Sequence, residues 1–500
     1  MFKGKSKLGK GLAVVLGASL VVSALPAAAA TSTLPEYKLT LYYPGSPQKD
    51  EAKVEAKINE YLKTKINATL DLNAIDWGQW DNKMNLMKAS RESMDIIFTA
   101  QWNGHANDVA KQVFLALDDD KGPKGNLLKQ YGQDITRTLD PAFLAGAKVN
   151  GKNYGVPTNK ELAAQGGVIY RKDIADKLGL TAQLNRAKTV KDLQPILETV
   201  KKKMPSMTPL FLRDGDNFNA HYFIEQDFLG DVTIEGLIRK DGTSTKVITR
   251  FDDKEYMDQL KLTREFFKKG LVNKDAATTQ LSGQDALKKG NVFMITASLK
   301  PGKDAETAIA AGMPGKLKQI AMTDRTVSTG ETAGSMLGIS STSKDPARAM
   351  MFINLLHKDK YLNNLLNFGI EGEHYAKQSA EIIKPAKNSA NYNPGATWMF
   401  GNQFLNYVWD TEAPNKWAQF KNFNRGAKLS PALGFTFNAQ PVKTQAASLV
   451  TVRKTYIAGL ETGSIDPSKA TEYKKKLEAN GLAKVLQEKQ KQLDAFLKSK

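Results

Sequence analysis

Aromatic side chains follow three neighbouring strands of the expected sheet, close to the point where each strand ends. Tyr43 ends the first strand, Trp77 and Trp80 follow the second, and Trp102 follows the third. Open α/β sheets bind ligands at the carboxyl ends of their parallel strands, so we expect these side chains to converge there. Aromatic faces pack against the apolar side of a sugar ring, and planar polar groups bond its hydroxyls. The pattern therefore predicts a sugar-binding edge, with ordinary core packing as the alternative for each tryptophan.

Further candidates for this site lie later in the chain. Tyr154, Glu161 and Glu331 occupy expected loops near strand ends, where they could present polar groups to hydroxyls. Trp398 and Asn402 lie in a segment rich in aromatic residues that could close the site from the other side. The alternatives are solvent exposure for the two glutamates and packing between lobes for the last two residues.

Signatures of catalysis and of metal binding are absent from the sequence. The four histidines show neither H-x-x-x-H nor H-E-x-x-H spacing, and there is no G-x-S-x-G or phosphate-binding loop motif. The chain has no cysteine, which removes thiol catalysis and cysteine-ligated metal centres. Glycoside hydrolysis needs only two carboxylates about 5–10 Å apart, and no sequence pattern excludes such a pair. We expect no cofactor, no metal and no enzyme activity, with a secreted carbohydrate-active enzyme as the alternative.

The first thirty residues have the pattern of an export signal. Four lysines within the first ten residues precede an apolar stretch from Leu12 to Leu25, and four alanines follow at 27–30. A basic start, a short apolar core and an A-x-A end predict a secretory signal peptide, cleaved after Ala29 or Ala30. The apolar core is shorter than the roughly 20 residues that span a bilayer. The sequence therefore predicts a secreted protein at the cell surface, without a lipid-modified cysteine.

The chain is basic, with a formal net charge of +19 over 500 residues. Export argues against a nucleic-acid partner, and lysines interleaved with acidic residues are typical of solvated helix faces. We expect the excess charge to attract an anionic cell envelope. An acidic sugar, such as a uronate-containing oligosaccharide, is an open possibility for the ligand.

Strand and helix patterns alternate through the first hundred residues. Residues 37–43 and 69–75 alternate as strands do, the apolar run 95–99 predicts a buried strand, and 49–66 and 80–91 have helical periodicity. Strands and helices that alternate with short links predict an α/β fold with a parallel sheet and right-handed crossovers. About 470 mature residues exceed what a single core accommodates, so we expect two or three domains.

Five stretches along the chain share their order with one known family. They are G-K-N-Y-G-V-P at 151–157, G-V-I-Y-R-K-D at 167–173, I-S-x-x-S-x-x-P-x-x-A at 339–349, N-L-L-N-F-G-I-E-G-E-H-Y at 364–375 and W-M-F-G-N-Q-F at 398–404. Together they resemble the extracellular solute-binding proteins of ABC importers, in particular the large sugar-binding class from Gram-positive bacteria. The stretch 364–375 is the most specific, and it resembles a subgroup with a C-terminal domain of unassigned function.

The resemblance implies a two-lobed, periplasmic-binding-protein-like fold with a multi-strand hinge, a ligand cleft between the lobes and a helical C-terminal extension. We assign the chain as follows: 1–30 signal peptide, 31–155 with about 285–335 lobe 1, 156–284 with about 336–400 lobe 2, and 401–500 a C-terminal region packed on the lobes. The implied function is to bind a carbohydrate, in particular an oligosaccharide, and to deliver it as a monomer to the membrane permease subunits of an ABC importer. A sensory protein that presents its ligand to a receptor is the further alternative.

Overall fold

The computed structural model describes residues 34–499, so the expected signal peptide lies outside the described residues. In chain order, the strands of the two main sheets are β1 (Tyr37–Pro44), β2 (Ala68–Ile75), β3 (Ile96–Thr99), β4 (Val156–Pro157), β5 (Gln165–Arg171), β6 (Thr208–Phe211), β7 (Val292–Leu299), β8 (Leu317–Ala321) and β9 (Met336–Ile339). The first sheet has the order β2–β1–β3–β9–β4, and the second has the order β8–β5–β7–β6. Each sheet is the centre of one lobe, here called lobe 1 and lobe 2.

Helices cover the faces of these sheets and form much of the C-terminal region. They are α1 (Glu51–Ile66), α2 (Trp77–Ala89), α3 (His105–Ala110), α4 (Leu127–Tyr131), α5 (Gln133–Thr138), α6 (Pro141–Gly146), α7 (Lys172–Lys177), α8 (Thr181–Arg186), α9 (Gln194–Lys203), α10 (Lys254–Lys268), α11 (Gly283–Lys288), α12 (Lys303–Ala310), α13 (Thr329–Thr332), α14 (Pro346–Lys358), α15 (Lys360–Phe368), α16 (Lys416–Asn424), α17 (Lys443–Glu461), α18 (Lys469–Ala479) and α19 (Leu482–Lys498). Within residues 34–499, no helix has the length and apolar character needed to cross a membrane.

The first βαβαβ unit forms as its sequence pattern predicts. β1 pairs in parallel with β2 and with β3. Helix α1 buries Val54, Ile58, Leu62 and Ile66, a stripe at i, i+4 spacing that faces the sheet. Because β2 and β3 flank β1, the carboxyl ends of all three strands meet at one edge. The predictions of an α/β fold and of a parallel sheet here are confirmed.

The predicted assignment of the two return segments to the lobes is wrong. β7, which we assigned to lobe 1, pairs with β5 and β6 in the second sheet. β9, which we assigned to lobe 2, runs antiparallel to both β3 and β4 in the first sheet. Both are central strands that hydrogen-bond on both edges, and the sequence pattern predicts a buried strand without showing which partners it takes. Helices α14 and α15 and several residues between 392 and 400 consequently pack in the lobe 1 core.

The chain crosses between the lobes along segments that pair with one another. Asn159 forms an isolated bridge with Asn402, and Ala164 forms one with Thr326. The short strand Thr326–Val327 also pairs in parallel with Lys428–Leu429. The first crossing lies between β4 and β5, the second lies between β8 and β9, and the third follows Phe400. The pairings join all three, so the lobes are connected by several extended segments rather than by one linker.

The C-terminal helices complete a second core in lobe 2. Tyr456 and Leu460 of α17, Tyr473 of α18 and Leu493 of α19 share one buried cluster with Tyr256 of α10. The fully buried Lys489 on α19 donates from Nζ to the carbonyls of residues 228, 234 and 236, at 3.1, 2.8 and 2.8 Å. Burial lowers the pKa of this lysine to about 8. Helices α17, α18 and α19 are therefore part of lobe 2 and not a separate appendage.

Candidate functional site

A cavity of about 530 Å³ lies between the two lobes. Lobe 1 contributes the turn after β1, the start of α2, the turn after β3 and the segment around residue 398. Lobe 2 contributes the loop 213–232 and the end of β7. The cavity therefore opens at the edge where the parallel strands of lobe 1 end, which is where open α/β sheets bind ligands.

Three tryptophans form the lobe 1 wall of this cavity. Trp398 is one of them, so the prediction that it closes the site from the other side is wrong. The ring centroid of Trp77 lies 6.2 Å from that of Trp102 and 6.3 Å from that of Trp398, and the ring planes are inclined by 27° and 14°. Nε1 of Trp102 donates a hydrogen bond to the carbonyl of Gly334 at 2.7 Å, which fixes its orientation. All three rings are partly exposed. The arrangement offers a broad aromatic surface to a ligand with apolar faces.

Local structure explains how the first of these rings reaches the cavity. Asp76 caps α2 by accepting a hydrogen bond from the backbone of Gly78 at 3.0 Å, so the helix begins at Trp77. Gly78 also lies against lobe 2, because a Cβ at this position would be 2.6 Å from Cβ of Gln280. The first turn of α2 is thus both an aromatic wall of the cavity and a contact point between the lobes.

Lobe 2 presents hydrogen-bonding side chains opposite the tryptophans. Asp216 accepts from Nε of Arg213 at 2.6 Å and lies 3.1 Å from Nε2 of His221, whose Nδ1 lies 3.0 Å from Oγ of Ser298. Burial acts to raise the pKa of the Asp216 carboxyl, but His221 and Arg213 outweigh it and hold this pKa well below its usual range. The network orients a histidine and a serine at the cavity wall.

Charged side chains in the crossing region are paired with one another. Glu161 lies 3.0 Å from Nζ of Lys160 and 3.5 Å from Nζ of Lys300. Burial alone would raise the pKa of Glu161, but the two lysines lower it below its usual range. Glu331 is paired with Lys240, and burial together with Glu331 raises the pKa of Tyr222 well above its usual value. Both glutamates line the cavity, as we expected from the sequence, but ion pairs occupy their carboxylates.

The charges that line the cavity balance. The seven cationic side chains are Lys160, Arg213, Lys240, Arg250, Lys300, Lys303 and Arg453. The seven acidic side chains are Glu161, Asp214, Asp216, Asp227, Asp285, Glu331 and Glu461. The net charge of +19 for the chain is therefore not concentrated in the cavity.

The lobes touch each other at the wall of the cavity. Oγ of Ser46, in the turn after β1, donates toward both carboxylate oxygens of Asp285 at 3.4 Å. Asp285 also accepts from Oγ of Ser282 at 2.6 Å, at the start of α11. These contacts join lobe 1 to lobe 2 directly, so the structure has the lobes drawn together over the cavity.

Tyr43 and Trp80, two of the strand-end aromatics, do not reach the cavity. Tyr43 is 1% exposed, lies in the lobe 1 core and packs edge-on against Phe400. Trp80 is 2% exposed, and its Nε1 donates to Oδ1 of Asn103 at 3.0 Å. Tyr43 shares the inward face of β1, and Trp80 begins the buried stripe of α2, so both side chains point into lobe 1.

Tyr154 and Asn402 also lie away from the cavity wall. Tyr154 packs against the lobe 1 core. The side chain of Asn402 is used for hydrogen bonds within the third crossing. Its Oδ1 accepts from the backbone of Phe404 at 3.1 Å, and its Nδ2 donates to the carbonyl of His357 at 3.3 Å. Of the nine predicted site residues, the cavity therefore contains Trp77, Trp102, Glu161, Glu331 and Trp398.

The cavity also contains polar residues that were not among the predicted ones. His221, Thr296 and Ser298 line it from lobe 2, and Arg453 lines it from the C-terminal region. Thr296 and Ser298 are predictable from the sequence, because they are polar residues two positions apart at the end of the β7 strand pattern and therefore share one face of the strand. Arg453 has no local signal, because its position follows only from the packing of α17 against lobe 2.

One group of potential metal ligands is present elsewhere in the described chain. Asp50, Glu373 and His374 place one ligand atom each within 4.8 Å of one another. Nδ1 of His374 accepts from the backbone of Ile370 at 2.9 Å, so Nε2 carries the proton and donates to Asp50 at 3.1 Å. Lys53 pairs with Glu373. Asp50 and His374 thus pair with each other and Glu373 pairs with Lys53, and these contacts hold α1 against the loop after α15.

Two α/β lobes with crossing segments and a cleft between them define a solute-binding protein. Residues 45–361 match the model of the bacterial extracellular solute-binding protein family, and residues 431–498 match a domain of unknown function. The first match spans more than half of the chain, and the chain therefore belongs to this family.

Relatives with sequence and structural similarity come from Streptococcus pneumoniae. A carbohydrate ABC transporter substrate-binding protein is 27% identical over 473 residues, which cover 92% of this chain and 91% of the relative. The crystal structure of the N-glycan transport solute binding protein NgtS in complex with Man5GlcNAc is 26% identical, with a TM-score of 0.83 over 93% of this chain and 99% of that chain. A further NgtS crystal structure, described without a ligand, has a TM-score of 0.76 at 25% identity over the same shares.

Proposed function

We propose that this protein is the extracellular substrate-binding component of an ABC importer and that it binds a neutral oligosaccharide between its lobes. The observation that carries the proposal is the wall formed by Trp77, Trp102 and Trp398, which faces hydrogen-bonding groups of lobe 2 across one cavity. Stacked aromatic rings suit the apolar faces of sugar rings, and the polar groups opposite suit their hydroxyls. The relatives that transport carbohydrate and N-glycan support the same ligand class.

The balance of charge in the cavity favours a neutral ligand over an acidic one. Seven cations face seven anions, and most of the cations are held by carboxylates of the protein. A uronate would have to displace these partners or enter without a counter-ion, and either step costs desolvation. The basic character of the chain is better explained by attraction to an anionic cell envelope.

Closure of the lobes is the proposed binding mechanism. The Ser46–Asp285 contact joins the two lobes at the cavity wall, which agrees with a closed arrangement. A ligand that contacts both lobes only in the closed form shifts the population of the protein toward that form. The closed protein then docks, as a secreted monomer at the cell surface, on the permease subunits of the importer.

We propose no enzyme activity for the cleft. Glu161, Asp216 and Glu331 are each held by a neighbouring cation, so these carboxylates are poor candidates for the protonated acid that glycoside hydrolysis needs. The same titration that tests binding also tests this point, because a bound oligosaccharide recovered intact argues against hydrolysis.

The test is isothermal titration of residues 31–500 with neutral and uronate-bearing oligosaccharides. We expect saturable binding of at least one neutral oligosaccharide and at least about a tenfold loss of affinity in Trp102→Ala, equal to about 1.4 kcal/mol. Trp417→Phe is the matched control, because Trp417 packs against Phe404 and Phe420 and does not line the cavity. Binding of uronate sugars alone would overturn the neutral ligand, and no binding of any sugar would overturn the carbohydrate assignment.

The sensory alternative is tested with membranes instead of sugars. Vesicles containing the permease pair encoded nearest to this protein should bind the ligand-loaded protein more tightly than the ligand-free protein. Absence of any ligand-dependent binding to such vesicles would contradict the role in import while leaving the sugar-binding function intact.

A further inference from the structure

The C-terminal domain of unknown function reaches the ligand cavity through one helix. Arg453 and Glu461 of α17 both line the cavity, although they belong to the matched segment 431–498. Arg453 lies four residues after the buried Leu449 and four before the buried Ile457, so it falls on the face of α17 that packs into lobe 2. The helix thus carries a cation from the domain of unknown function to the cavity wall.

Glu461 is fully engaged in a buried network and serves to anchor the helix. Its Oε1 accepts from Nη1 of Arg250 at 3.2 Å and from the hydroxyl of Tyr256 at 3.4 Å, and its Oε2 accepts from Nδ2 of Asn217 at 3.3 Å. Arg250 is in turn held by Glu235, with Nε donating at 2.8 Å. The partners of Glu461 come from the body of lobe 2, so α17 is fixed relative to that lobe.

Arg453 takes no part in these hydrogen bonds. Its Nε is buried and, within residues 34–499, has no hydrogen-bond partner. Two other cavity residues have buried side-chain oxygens in the same condition, namely Oγ1 of Thr296 and Oδ1 of Asn219. Buried polar atoms are almost always paired in folded proteins, and an exception calls for an unseen partner or a function. The three residues that carry these unpaired atoms all line the ligand cavity, so the unpaired polar groups lie at its wall.

We infer that the C-terminal domain is part of the binding site and that Arg453 donates hydrogen bonds to oxygen atoms of the bound sugar. This inference rests on the proposed function and extends it to the domain of unknown function. A guanidinium offers five N–H donors in a rigid plane, which suits adjacent hydroxyls or the carbonyl of an acetamido group. The carboxylates of Asp214 and Glu461 line the same cavity, so the charge of Arg453 does not call for an anionic ligand.

The position of Arg453 also couples the C-terminal domain to closure. Because α17 belongs to the lobe 2 core, the arginine moves with lobe 2 and meets a ligand already stacked on the tryptophans of lobe 1 only when the lobes close. Arg453 should therefore strengthen the closed complex with little effect on the ligand-free protein.

The experiment compares Arg453→Met and Arg453→Lys with the control Lys454→Met, on the exposed side of the same helix. Each variant of residues 31–500 is titrated with Man5GlcNAc and with other neutral oligosaccharides that the wild type binds, and is melted without ligand. We expect at least a tenfold loss of affinity in Arg453→Met, a smaller loss in Arg453→Lys and none in Lys454→Met. The melting temperature of ligand-free Arg453→Lys should equal that of the wild type, because lysine keeps the positive charge near the buried carboxylate of Glu461.

Each contrary outcome has a distinct meaning. Wild-type affinity in Arg453→Met would overturn the inference and leave the proposed function standing. A fall in the melting temperature of the ligand-free Arg453→Met and Arg453→Lys variants would also overturn it, because the arginine would then have a structural partner. If the wild type itself binds no oligosaccharide, the proposed function fails, and this inference fails with it.

Discussion

Oε1 of Glu331 lies 3.0 Å from Nζ of Lys240, and both side chains are almost completely buried. Glu331 is in α13, on the crossing that leads from lobe 2 to lobe 1, and its other oxygen accepts from the backbone of Ser328. Lys240 comes from lobe 2 and also lies over the ring of Tyr222, 4.8 Å from its centroid. The ion pair therefore attaches the segment between β8 and β9 to lobe 2 beside the ligand cavity.

Breaking this pair should destabilise the protein strongly. Glu331→Gln and Lys240→Met each leave a buried group without its counter-charge, and we expect each to lower the free energy of unfolding by about 3–5 kcal/mol. The double variant should recover part of this loss, because no buried charge is left unpaired. Urea unfolding of the four proteins measures the coupling, and single variants within about 1 kcal/mol of the wild type would show that the pair is not closed in solution.

Trp77 and Trp80 should respond in opposite ways to replacement, although they are one helical turn apart. Trp80→Ala empties a buried site in lobe 1 and should cost about 3–5 kcal/mol of unfolding free energy. Trp77→Ala removes a partly exposed cavity ring and should mainly reduce sugar affinity, by about tenfold. Titration and urea unfolding of both variants are the measurements. A loss of affinity in Trp80→Ala without a loss of stability would contradict the observed orientation of α2.

Acid should destabilise the protein through a buried histidine. His357 is 1% exposed, and burial lowers its pKa from 6.5 to about 3. Below pH 6.5 the unfolded chain binds a proton at this residue, whereas the folded chain does not. The contribution of His357 to the unfolding free energy is therefore fully present above pH 6.5 and is lost as the pH falls toward 3. Between pH 7 and pH 5 this loss is about 2 kcal/mol.

The measurement is the unfolding free energy of wild type and His357→Leu at several pH values. We expect the variant to lose about 2 kcal/mol less than the wild type between pH 7 and pH 5. Parallel curves for the two proteins would show that this histidine is hydrated or paired in solution.

Lys489 should be essential for attaching the C-terminal region to lobe 2. Lys489→Met leaves three buried carbonyls without their donor, and we expect a loss of about 2 kcal/mol or more in unfolding free energy. Lys491→Met is the control, because the Lys491 side chain is 77% exposed and faces away from this contact. Equal stability of the two variants would contradict the role assigned to the buried ammonium group.

The sequence alone predicts the strands and helices of the first βαβαβ unit and the edge of the sheet at which the ligand cavity forms. The sequence predicts less well whether a side chain near the end of a strand or at the start of a helix faces the core or the cavity. Tyr43 shares the alternating face of Leu39 and Leu41, and this alternation already indicates the core; its place at the end of the strand was the weaker signal. Trp80 likewise begins a stripe with Met84, at helical spacing.

Long-range pairing explains the remaining differences between prediction and structure. The pattern of β7 and β9 indicates buried strands, but the choice of sheet depends on contacts with residues more than a hundred positions away. Arg453 reaches the cavity for the same kind of reason, since only the docking of α17 places it there. The partners of such strands and the location of such side chains depend on how the core assembles, and the local sequence does not predict them.

The interleaved order of the two sheets also governs when the chain can fold. β9 occupies a central place between β3 and β4, so the first sheet has a gap until residues 336–339 are available. The second core of lobe 2 similarly waits for α19, which ends at Lys498. A chain that emerges from its N-terminus can therefore finish neither lobe early, and contacts this distant form slowly. For a chain expected to be exported, this topology means that neither lobe can be completed until residues well past the middle of the chain have been translocated.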